Sequence, residues 1–153
     1  MPQSCDFRIG NIVRVSDETD PHHRRELPIE GIKFWSEFAH VMAGNTWRPL
    51  NWVEPVGLSD DWLDRLGFEY LTSTYGTRDL PKTYSKFSKS FAGITVEIVK
   101  DQDNRYFRFI QLDDHKHGLE DVRLFFVHQL QNLCFDLTGA ELTEAKQVGA
   151  RHF

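Results

Sequence analysis

The chain has 153 residues, 40% hydrophobic and 13% aromatic, enough to bury one sizeable core, or a small core with an appended subdomain. Its formal charge of −5 argues against coating nucleic acid or an anionic membrane with the whole surface and leaves such roles to local basic patches. Two cysteines, Cys5 and Cys134, make no disulfide framework; Met1 to Arg8 is polar, and no apolar run approaches the ~20 residues of a membrane span, so the expected address is cytoplasmic.

Phe7 to Val15 (FRIGNIVRV) reads as an opening strand, with Gly10-Asn11 permitting a bulge or kink. Ser16 to Glu26 is polar, contains Pro21 and predicts a loop. Leu27 to Trp35 and Phe38 to Met42 are two further strands, and Gly44-Asn45 turns the chain into Thr46 to Leu50. Several short strands within the first 55 residues predict a small curved β-unit, an SH3-like barrel or a meander.

Pro55 and Gly57 mark a boundary, after which Ser59 is placed to cap a short helix from Asp60 to Leu66, stopped by Gly67. Strands follow at Phe68 to Thr72, Ile94 to Lys100 and Tyr106 to Leu112, the last two forming a hairpin across Asp101 to Asn104. An apolar strand-like run from Val122 to Phe126 leads into the C-terminal helix. At 100° per residue, Phe126, Val127, Leu130, Leu133, Cys134 and Leu137 form one apolar stripe, and Gly139 ends it. The result is an α+β protein: the curved β-unit over 1–55, then a mainly antiparallel sheet packed by two helices over 56–145, and a tail over 146–153.

Three blocks look familiar. They are Arg8-Ile9-Gly10-Asn11-Ile12-Val13; Val53-Glu54-Pro55-Val56-Gly57-Leu58 continuing through Asp61-Trp62-Leu63 and Leu66-Gly67-Phe68; and Val127-His128-Gln129-Leu130-Gln131-Asn132-Leu133 with Phe135, Leu137-Thr138-Gly139 and Glu141-Leu142. Together they resemble a family of small bacterial proteins found near prophages and other mobile elements. The resemblance implies a shared architecture and no particular reaction. Cys134 stands where members of that family are aromatic and Asp136 where they are small, while Tyr75 to Ser90 lies outside the resemblance.

Four groups of residues could carry chemistry or contacts. Asp113, His115 and His117 have the donor types of a zinc-like site, although a solvated turn has the same composition. His22 to Arg25 could meet phosphate, but Asp17, Glu18, Asp20 and Glu26 balance it as in an ordinary surface loop. Between Arg78 and Phe91, Arg78, Lys82, Lys86 and Lys89 stand against Asp79 alone, interleaved with Tyr84 and Phe87, the ingredients of single-strand binding. The spacing of Tyr84, Phe87 and Phe91 equally suits a short helix docked on the sheet. On the helix arc opposite the apolar stripe, Phe135 sits among His128, Asn132 and Asp136, an aromatic that needs a cover, either from within the chain or from a partner.

Trp35, Trp47, Trp52 and Trp62 are read as packing residues, and Cys134 as a buried structural thiol. There is no Walker loop, dinucleotide fingerprint, zinc-finger cysteine pair or HExxH helix, so no cofactor is implied. The leading expectation is a non-enzymatic binding or accessory protein of a mobile element or prophage, acting through protein contacts that include self-association. A nucleic-acid or nucleotide binder is the alternative, and a metal-dependent enzyme the third reading; no membrane role is expected.

Overall fold

Gly10 decides how the chain enters the fold. Its φ of +94° turns the backbone between Arg8 and Asn11, so the first strand, β1, begins only at Ile12 and runs to Ser16. The computed structural model describes residues 7–16, 20, 22–77, 80–101, 107–112 and 122–145, with side chains described at these positions except 72–77, 80–84, 101 and 109–112. The chain is α+β; among the described residues it has mostly antiparallel strands in three sheets with two α-helices, and it divides into two compact units.

Unit 1 comprises Met1–Gly57 and Phe126–Glu141. In it, β1 pairs antiparallel with β2 (Arg24–Pro28) on one side and β6 (Val53–Pro55) on the other. A separate three-stranded meander follows the order β3 (Gly31–Trp35), β4 (Phe38–Ala43), β5 (Thr46–Pro49). Gly44 and Asn45 both have φ near +60°, as the expected tight turn between β4 and β5 requires. Val13, Val15, Ile29, Val41, Ala43 and Val53 form the core of the unit, flanked by Phe7, Leu27, Ile32 and Leu50. Among the described residues, the two sheets remain separate hydrogen-bonded ladders, so the small β-unit is open rather than a closed barrel.

The C-terminal helix α2 (Val127–Thr138) belongs to this unit, whereas sequence alone groups it with residues 56–145. Its start is held by the Phe126 amide donating to Gln129 Oε1 at 3.1 Å, and its end by Gly139 in the left-handed region. The buried face is rotated from the predicted stripe. Val127, Leu130 and Cys134 are buried as expected, but so are His128 and Gln131, while Leu137 is 37% exposed. Gln131 can go inside because backbone groups satisfy its amide: the Ile12 amide donates to Oε1 at 2.8 Å, and Nε2 donates to the Gly10 carbonyl at 3.0 Å.

Unit 2 comprises Leu58–Phe125 and Leu142–Phe153. Its sheet has the order β11 (Val122–Leu124), β10 (Phe107–Leu112), β9 (Ile94–Asp101), β8 (Leu80–Phe91), β7 (Glu69–Thr77), with every neighbouring pair antiparallel. The expected β9–β10 hairpin is present. Phe87, Val96, Ile98, Phe107 and Leu124 share one buried face. Helix α1 (Asp60–Arg65) buries Trp62 and Leu63, and the Trp62 amide donates to Ser59 Oγ at 3.2 Å, the predicted cap.

Candidate functional site

Residues of the first and third sequence blocks meet within unit 1. Arg8 donates from Nε to Asn132 Oδ1 at 2.8 Å and from Nη1 to Glu141 Oε1 at 2.9 Å, and its guanidinium carbon lies 4.1 Å above the Phe135 ring centroid. Asn11, fully buried, donates to the same Asn132 oxygen at 2.9 Å. A side chain at Gly10 would come within 3.3 Å of the Glu141 carboxylate, a second reason for glycine there besides its positive φ. The first and third blocks of the resemblance therefore interlock, strand entry against helix, and their polarity is used in holding the fold together.

This placement corrects the expected outward face of α2. His128 is only 4% exposed, its ring stacked on Phe126 at 5.7 Å between centroids and edge-on to Phe7 at 4.7 Å. Asn132 is bonded as above, and Phe135 has its cover in Arg8, from the N-terminal unit of the same chain. Asp136 is exposed.

The basic-aromatic segment is a strand, not a helix, because Leu80 to Phe91 pairs along β7 and β9. Alternation then separates its members. Phe87 is buried, edge-on to Tyr70 and Phe107 at 5.2 and 6.4 Å, and Lys89 on the same face donates to the Leu66 carbonyl at 2.6 Å. Lys86, on the other face, pairs with the buried Glu97 carboxylate. By register Lys82 and Tyr84 lie opposite Tyr75 and Ser73 of β7, and their side chains are outside the described ones. Arg78 lies outside the described residues, as do Asp113, His115 and His117. Among the described residues, no three His, Cys, Asp or Glu side chains group as a metal site, and no helix is long and apolar enough to cross a membrane.

A different surface stands out. Pairing fixes which side chains of the meander share a face: Trp35 opposes Phe38, Lys33 opposes His40, which opposes Pro49, and Gly31 opposes Met42, which opposes Trp47. The opposite face carries Val41, Ala43 and Arg48, all buried, so the first set points away from the core. On it Trp35 is 66% exposed, Phe38 69% and Trp47 38%. Phe34, at the hairpin tip, is 78% exposed, and Trp52, in the 3-10 turn of residues 50–52, is exposed as well. Of the four tryptophans read as packing residues, Trp62 alone is buried.

Lys33 Nζ lies 4.8 Å from the Trp35 ring centroid and 4.1 Å from that of Trp47, and the His40 ring is 5.9 Å from Trp35. The outward positions 31, 33, 35, 38, 40, 42, 47 and 49 include no carboxylate. The nearby Glu30 carboxylate is tied to the β4–β5 turn, accepting from the Gly44 and Asn45 amides at 2.9 and 3.4 Å. Such a face can stack on planar groups and attract negative charge. The signal available in the sequence was period-two alternation within β3 and β4, with Lys33, Trp35, Phe38 and His40 on one side of the hairpin and Ile32, Ala39 and Val41 on the other. Comparison with protein-family models, curated proteins and solved structures finds no match to this chain.

Proposed function

We propose that this chain is a non-enzymatic binding protein, an accessory of a mobile element or prophage, whose contact surface is the outer face of β3, β4 and β5. The observation that carries the reading is the exposure of Trp35, Phe38 and Trp47 together on one face of a small sheet. Large aromatics fully buried on folding contribute about 1.5–3 kcal/mol each, and clustered exposed ones are the usual anchors of recognition surfaces. The resemblance of the Arg8 and Gln131 blocks to proteins of mobile elements supports the accessory role.

Hydroxyl-radical footprinting of the full chain, alone and in extract of its own host, tests this reading. Protection of Trp35, Phe38 and Trp47 in the extract, with Trp52 unchanged as a control, is the expected result. Equal oxidation of the three in both samples would remove the proposed contact surface.

A further inference from the structure

Resting on that reading, we infer that the occupant of the β3–β5 face is single-stranded nucleic acid, stacked on its aromatic rings with phosphate held by Lys33. The row Gly31, Met42, Trp47 runs across three adjacent strands. A Cβ at Gly31 would lie 3.1 Å from Trp47 Cη2, and 3.7 Å from both Trp47 Cζ2 and Met42 Cε. The indole rooted on β5 thus extends over β4 to reach β3, two strand spacings of ~4.8 Å each. To reach that far its long axis must lie along the sheet, and Gly31 supplies the space. Trp35 and Phe38 add two further exposed rings at the hairpin end of the same face.

Charge selects among occupants. Lys33 places its ammonium against both indoles, His40 adjoins Trp35, and the outward positions offer no carboxylate in a chain of net charge −5. A second copy presenting this face would bring another lysine-bearing, carboxylate-free surface against the first, with no opposite charge from those positions to match it. Each nucleotide of an unpaired strand supplies what the face can hold, a planar base to stack on its rings and a phosphate to meet Lys33. Glu37, in the exposed turn between Trp35 and Phe38, is the carboxylate set against this attraction.

The test is fluorescence anisotropy with a labelled fifteen-nucleotide oligo(dT) and its RNA counterpart oligo(U), in low salt and across a salt series. Binding of either strand, quenching tryptophan emission and weakening as salt rises, is expected. Trp35→Ala with Trp47→Ala should weaken it at least ~10-fold, Lys33→Gln should flatten the salt slope, and Glu37→Gln should tighten binding a few-fold. An unchanged melting temperature in each variant shows that the fold is intact. No binding by the wild type at ~100 μM protein in low salt, or equal binding by the double variant, would overturn the inference.

The footprint separates this failure from failure of the parent reading. Protection that survives nuclease treatment of the extract identifies a protein occupant, which overturns the nucleic-acid assignment and leaves the contact surface standing. Protection abolished by nuclease supports both.

Discussion

The Arg8–Gln131 network and the outer face of β3–β5 lie in the same unit and use polar and aromatic side chains in opposite ways. In the network, Gln131 is matched to backbone partners and Asn132, Glu141 and Phe135 to Arg8. On the sheet face, Trp35 and Phe38 remain mostly exposed. The contrast teaches that polar residues grouped in short sequence blocks can be used in locking the fold, while the exposed aromatic face is assembled from three strands and has no compact sequence block of its own. Stability should therefore follow the first region and binding the second.

Core packing on α2 should give the largest effect on stability. Leu130→Ala, at a fully buried position, should cost ~2–5 kcal/mol, and Leu137→Ala, at a half-open one, well under half of that, read from urea midpoints. Equal losses would mean that the predicted stripe, not the observed rotated face, packs inward. Next comes Gln131→Leu, which keeps the volume but strands the Ile12 amide and the Gly10 carbonyl. A loss of about 2–3 kcal/mol is expected by the same measurement, and a neutral result would break the proposed clamp.

Arg8→Ala should cost about 1–2 kcal/mol, since its bonds to Asn132 and Glu141 are partly exposed and screened. Arg8→Lys should not restore it, because an ammonium lacks the guanidinium fork that meets Asn132 and Glu141 while covering Phe135. Full rescue by lysine would reduce the contact to simple charge pairing. Smallest in stability are Trp35→Ala and Phe38→Ala, within ~0.5 kcal/mol of the wild type by thermal or urea unfolding. A large loss there would show that these rings pack in the native chain, and the comparison between the two regions would collapse.

The fold was legible where local chemistry decides it. Ser59 and Gly67 bound α1, Gly44-Asn45 turns β4 into β5, Gly139 ends α2, and the β9–β10 hairpin follows its alternation. What escaped depends on distant partners. Gln131 reads as outward until strand backbone takes up its amide, so the predicted stripe missed the rotation of α2. Tyr84, Phe87 and Phe91 fit a helical spacing as well as a strand, and pairing with β7 and β9 settled it. The aromatic face was hidden for a related reason: Trp35 and Trp47 lie far apart in sequence, and only the register of three strands brings them to either side of Lys33.

The most direct test of the division between lock and surface is one oligonucleotide titration run on three proteins side by side, each with its melting curve: wild type, the Trp35→Ala Trp47→Ala double variant, and Arg8→Ala. The double variant should melt with the wild type and bind at least ~10-fold more weakly, while Arg8→Ala melts earlier and, below its transition, titrates like the wild type. Weakened binding in Arg8→Ala together with intact binding in the double variant would contradict the account.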